Sequence, residues 1–177
     1  MKAAVYYENG GPEVLKYEDV ELPPPGPGEV QIRHTAIGLN YIDTYFRSGY
    51  YPVQPPCGIG VEGAGTIEAV GEGVTGFVPG DRVAYNGSPL GAYSTERIMP
   101  AAPLFKLPDA ISFEDAAAST MRGLSATYWL AKTNPRMKAG DTILLHAAAG
   151  GVGLLAVQLA KLMGLRVIGT VSNEEKA

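Results

Sequence analysis

The stretch TILLHAAAGGVG at residues 142–153 limits what this chain can fold into more than any other segment. A short apolar run enters a glycine turn, and the turn opens into LLAVQLAKLMG, strongly helical in composition and ending at Gly164. A second apolar run at residues 165–171 completes the order strand, tight turn, helix, strand. That order predicts a βαβ unit, two parallel strands joined by a helical crossover. The first strand, residues 142–146, is expected to be buried on both faces, as parallel strands are.

The glycines make this turn suited to a dinucleotide. Such a site needs a tight turn, close approach of backbone to the pyrophosphate, and close packing of helix on strand. The phosphates then meet free amides at the positive end of the helix. In the usual G-x-G-x-x-G pattern the first glycine is replaced by Ala148, while Gly150 and Gly153 are kept, and Gly151 and Val152 lie between them. The same turn can join a strand to a helix and bind nothing, so the flanking elements carry the reading. At the tip of the second strand stand Ser172 and Asn173, with Lys176 just beyond. An NAD site places an acid there for the ribose hydroxyls, whereas Ser172 and Lys176 suit the 2′-phosphate of NADP. Glu174 and Glu175 fall near the acid's spacing, and Ser172-x-x-Glu175 also reads as a capping box. NADPH is the preferred cofactor, with NAD left open.

Upstream the text is different. Residues 2–7, 30–36, 63–70, 82–85 and 93–98 read as short strands separated by clusters such as ELPPPGPGE, YPVQPPCG and GEGVTGFVPGDR. Proline and glycine supply the backbone angles that turns need, so a mostly antiparallel β unit is expected. At Ser112, followed three residues on by Asp115 and then by three alanines, a helix is expected to start. It should stop before Asn134-Pro135, because proline disfavours helical geometry in the preceding residue. The fold class is thus a β domain over residues 1–110, followed by a linking helix and the first part of a doubly wound parallel sheet over residues 111–177.

Charge and composition exclude several functions. A net charge of −4 without a basic stretch argues against nucleic acid. No apolar run is long enough for a signal peptide or a membrane span, so a cytoplasmic protein without membrane insertion is expected. Cys57 is the one cysteine and sits in PPCGIG away from any histidine or lysine, which suits an inert thiol. His34, on a strand expected to be exposed, and His146, closing one expected to be buried, have no metal or catalytic spacing.

HAAAGGVG with GTVSNEEKA, and before them GGPEVL at residues 10–15, AIGLNYIDTYFRSGYYP at 36–52, GDRVAY at 80–85 and GAYS at 91–94, resemble the zinc-free quinone oxidoreductases of the medium-chain dehydrogenase/reductase superfamily, which include the zeta-crystallins. The resemblance covers the whole chain. It implies a GroES-like β domain followed by a Rossmann domain, here expected to be cut short at Ala177, and a homodimer. In zinc alcohol dehydrogenases of the superfamily a Gly-His-Glu motif binds metal; the matching residues here are Gly60-Val61-Glu62, Asn40 stands in place of a cysteine ligand, and the four-cysteine lobe is absent. No metal is therefore expected.

Without a Lewis acid the hydride acceptor must already be electron-poor, as quinones and conjugated carbonyls are. The resemblance places Tyr41, Ile42, Asp43, Thr44 and Tyr45 beside cofactor and substrate, with Trp129, Gly150, Gly151, Val152, Gly153, Ser172, Asn173 and Lys176 along the cofactor. Tyr45, Tyr51 and Asn40 are the candidate catalytic residues, the tyrosines to position or protonate the acceptor. Against this, Tyr51 could rest its hydroxyl on the surface, Asn40 could serve only to hold a loop, Arg47 could be a solvated charge, and Trp129 could be core. An enone or enoyl-thioester reductase is the alternative enzyme, and a crystallin-like protein that binds NADPH with little turnover is the alternative of another class.

Overall fold

The computed structural model describes residues 1–176, and the chain divides into two compact units, 1–120 and 121–177. In the first, β1 (Lys2–Tyr6), β2 (Lys16–Asp19), β3 (Glu29–Gly38), α1 (Tyr41–Ser48), β4 (Cys57–Gly58), β5 (Glu62–Val70), β6 (Arg82–Asn86), β7 (Glu96–Pro100) and β8 (Phe105–Lys106) follow in order. They form an antiparallel three-stranded sheet β2-β1-β4 and an antiparallel five-stranded sheet β7-β3-β5-β6-β8.

Alternation places the core. Val30 and Ile32 on β3, Ile67 on β5, Val83 and Tyr85 on β6 and Met99 on β7 bury one face of the larger sheet. Ala64 and Ala84 face the other way, against Ala116 and Ala117 of α2 (Phe113–Thr127). Strand β3 shifts register against β5 between Gln31 and Ile32 and again between His34 and Ala36. Such bulges bend a strand and re-aim its side chains.

Helix α2 starts where the sequence predicts, with Ser112 Oγ accepting the Asp115 N–H at 3.0 Å. It widens into a π-helical turn over Tyr128–Lys132 and ends before Asn134-Pro135. In the second unit β9 (Thr142–Leu145) and β10 (Arg166–Gly169) pair in parallel, Thr142 opposite Arg166, and α3 (Gly151–Leu162) crosses between them. Ala156 and Ala160 are fully buried against Ala126, Leu130 and Leu165, small side chains that let the helix lie close to its neighbours.

Two expectations about burial are corrected. Among the described residues strand β9 is covered on one face: Ile143 and Leu145 pack against α3's cluster, whereas Thr142, Leu144 and His146 are exposed. His34 is not on an exposed strand face. Its ring is partly buried, with Nδ1 2.8 Å from the Ser94 carbonyl and Nε2 2.8 Å from the Tyr85 hydroxyl. Counted by twos from Val30 and Ile32, His34 falls on the same core-facing side of β3, ahead of the register shift that follows it. No helix among the described residues is long and apolar enough to cross a membrane.

Candidate functional site

In the first unit the chemistry gathers around α1. Asn40 has extended backbone angles and caps the helix, while the Asp43 carboxylate reaches back to accept the Asn40 N–H at 3.0 Å. The Asn40 side-chain amide donates to Glu62 Oε2 at 2.7 Å, and Tyr93 Oη donates to Asp43 Oδ2 at 2.8 Å. Glu62 is only 1% exposed. Burial raises the Asp43 carboxyl above its ordinary range, opposed by the bonds from Tyr93 and from the Asn40 amide. Burial likewise raises the Tyr93 hydroxyl, and its bond to Asp43 adds to this, so Tyr93 stays a donor. Asn40 and Asp43 thus turn inward, and their polar atoms hold the helix start to β5 and to the loop bearing Tyr93.

The tyrosines turn outward. Gly49 ends α1 in the left-handed region at φ 79°, which glycine adopts without strain. The chain then folds back, and the Tyr51 N–H bonds the Tyr45 carbonyl at 3.1 Å. Tyr51 consequently packs edge-on against Tyr45, with centroids 5.5 Å apart, and against Phe46 at 5.6 Å. Tyr41 meets Tyr45 edge-on at 5.4 Å. Among the remaining residues of α1, Thr44 Oγ1 donates to the Tyr41 carbonyl at 2.7 Å, Ile42 is half-buried, and Arg47 Nε donates to the Gly10 carbonyl at 3.2 Å, tying down a loop.

In the second unit, α3's first turn bond runs from the Leu154 N–H to the Gly150 carbonyl, 2.9 Å. The amides of Gly151, Val152 and Gly153 come before it and so have no acceptor within the helix. A Cβ on Gly153 would lie within the van der Waals radii of the Ala147 and Ala148 carbonyl oxygens, so only glycine fits this approach of helix to turn. Ala147 is held at φ 53°, the one non-glycine residue with positive φ among those described. Backbone strain of this kind concentrates at binding sites. A Cβ on Gly151 would stand 3.0 Å from Arg122 Nε, which brings a cation to the helix's positive end. A cavity of about 640 Å³ is lined by Ala148, Ala149, Leu154, Gly169, Val171 and Lys176, joining the turn to the tip of β10. Asn173 accepts the Lys176 N–H at 3.2 Å, and Ser172 and Asn173 are exposed. Trp129 is about half exposed rather than core.

Sequence reading overlooked Tyr93, Glu62's partnership with Asn40, Arg122 and Ala147. An acid opening a strand whose next residues, Gly63, Ala64 and Gly65, are small and apolar, as Glu62 does, was the one available signal.

Residues 26–109 match the alcohol dehydrogenase GroES-like domain. The chain is 56% identical over 169 residues to the quinone oxidoreductase of Pseudomonas aeruginosa, covering 95% of this chain and 52% of that protein. It is 46% identical to the 2-haloacrylate reductase of a Burkholderia species, over 100% of this chain and 55% of that one. The crystal structure of Escherichia coli quinone oxidoreductase complexed with NADPH superposes with a TM-score of 0.95 at 46% identity, covering 100% of this chain and 54% of that chain. The chain therefore spans about half the length of the relatives it matches. With the order β domain, linking helix and glycine-turn βαβ unit set out above, the chain is similar, over nearly its whole length, to quinone oxidoreductases of the medium-chain dehydrogenase/reductase superfamily.

Proposed function

We propose that the protein reduces a quinone, or a similarly conjugated carbonyl, at the expense of NADPH and without a metal. The observation that carries this reading is the cradle at residues 147–153: a turn that excludes any side chain at Gly153, three helix-terminal amides outside the helical ladder, and Arg122 beside them. That arrangement fits a pyrophosphate. Lys176, on the same cavity as the turn, would hold the 2′-phosphate that distinguishes NADPH from NADH, with Ser172 and Asn173 alongside. Bound NADPH would supply the hydride.

The chain's own residues then have positioning work to do. At the places where zinc relatives carry ligands it offers Val61, which has no lone pair, and Asn40, whose amide already donates to Glu62. This donor set does not fit a metal, so stabilisation of the reduced acceptor falls to hydrogen-bond donors. Tyr45 and Tyr51, held against each other at the end of α1, are the donors we assign to that task, with Tyr41, Ile42 and Thr44 shaping the surroundings; on the family resemblance Trp129 is a further cofactor contact. Asn40 and Asp43 act from behind, fixing where α1 begins. Catalysis by orientation requires no covalent step. On the family resemblance alone we also propose a cytoplasmic homodimer.

The 2-haloacrylate reductase among the relatives favours one second reading, reduction of an activated carbon–carbon double bond. The test is titration of the full-length natural protein with NADPH and NADH, followed by turnover of 1,4-benzoquinone and of an enoyl thioester in the presence of chelator. Tighter NADPH binding with chelator-resistant quinone turnover is expected. A preference for the enoyl thioester would favour the second reading, and tight NADPH binding without turnover of either acceptor would favour a binding protein.

A further inference from the structure

The aromatic surface at the end of α1 is larger than the two tyrosines the proposed reaction uses. Tyr50 is 72% exposed and Tyr41 74% exposed, yet neither stands alone. The Tyr50 ring lies 5.1 Å from Tyr45, tilted by 49°, and 5.4 Å from Tyr51, tilted by 41°. The Tyr41 ring meets Tyr45 from another direction at 5.4 Å and 86°. Four tyrosine rings thus form one contiguous surface centred on Tyr45, with the two outer rings the most open to solvent.

The sequence builds this on purpose-suited geometry. Tyr41 and Tyr45 are one helical turn apart and share a face of α1. Gly49 must then turn the chain back: its φ of 79° is left-handed, and a Cβ there would also press against the Asn9 side-chain amide at 2.6 Å. The reversal delivers Tyr50 and Tyr51 to the other side of Tyr45. Rings fixed by neighbours lose little further freedom when a ligand arrives, which favours binding.

We propose that Tyr50 is a specificity-determining residue that selects planar, ring-fused quinones over small acyclic enones. The inference rests on the quinone reductase reading above. A flat conjugated ring gains offset or edge-on contacts with tyrosine faces. A bicyclic quinone reaches across both Tyr45 and Tyr50, whose centroids are 5.1 Å apart, whereas an acyclic enone has no ring with which to meet the second tyrosine. The hydroxyl of Tyr50 plays no part in this selection; the ring does.

The experiment compares kcat/KM for 1,4-naphthoquinone with that for methyl vinyl ketone in the full-length natural protein and in its Tyr50→Leu and Tyr50→Phe variants. NADPH affinity by fluorescence verifies that each variant is folded. In Tyr50→Leu the ratio of naphthoquinone to enone efficiency should fall about fivefold, the worth of one aromatic contact. Tyr50→Phe should keep the ratio within about twofold, because the ring remains. An unchanged ratio in Tyr50→Leu, or an equal fall in both variants, would overturn the role of the ring while leaving the quinone reading in place. Failure of the unmodified protein to reduce any quinone would overturn both.

Discussion

His34 provides a quantitative test of the structure of the β unit. Because a carbonyl can only accept, Nδ1 must donate to Ser94, and Nε2 must then accept from the Tyr85 hydroxyl. Tyr85 in turn accepts from Arg97 Nη1 at 3.2 Å. The direction of the chain Arg97, Tyr85, His34, Ser94 is therefore set, and a second proton on His34 would put a donor against a donor. Burial, opposed by the Ser94 bond and reinforced by the nearby Arg97 charge, lowers the His34 pKa from 6.5 to about 4. Between those values the unfolded chain binds a proton that the folded one refuses, so the stabilisation is complete above pH 6.5 and is lost as pH falls towards 4. A shift of this size is worth about 3 kcal/mol, or about 2 kcal/mol already at pH 5. The assay is urea unfolding at several pH values, comparing the wild type with His34→Gln, in which this contribution to the pH slope should vanish. Ring NMR should show the Nδ1–H tautomer at neutral pH. An identical slope in the two proteins, or a His34 ring that titrates near its ordinary value, would refute the reasoning.

Three further outcomes follow from the geometry. Gly153→Ala forces a methyl group against two backbone oxygens and should destabilise the second unit by about 2 kcal/mol while weakening NADPH binding at least tenfold; thermal unfolding and fluorescence titration measure the two effects. Lys176→Ala should raise the Kd for NADPH about tenfold, the worth of one charge-assisted bond, and should leave that for NADH nearly unchanged; a parallel loss for both cofactors would remove Lys176 from the 2′-phosphate. Asn40→Ala takes a 2.7 Å partner from the buried Glu62 carboxylate and should cost about 2 kcal/mol in urea unfolding, with Asn40→Asp worse still because it sets two acids together.

The sequence by itself determined the parts that depend on local order. The period and punctuation of residues 142–171 specify strand, turn, helix and strand, because a glycine turn between an apolar run and an alanine- and leucine-rich segment has few other solutions. Ser112 and Pro135 bounded the linking helix through chemistry acting within a few residues of each end. The longer strands β1, β3, β5 and β6 were placed to within a few residues for the same reason, whereas the short β2, β4 and β8 were not read, and the strand expected at residues 93–98 lies at Glu96–Pro100, where pairing with β3 decides its position. What only the tertiary structure decided is which groups meet across long sequence separations. Asn40 finds Glu62, Asp43 finds Tyr93, and His34 finds Tyr85 because strands and loops distant in sequence are brought into register. Burial of a strand likewise depends on what is packed against it and not on its own apolar pattern, and among the described residues nothing covers Leu144 and Ile168. Tyr50 is the clearest case: as a residue in a turn it carried no signal, and the left-handed Gly49 and the ring of Tyr45 together bring it into the aromatic surface.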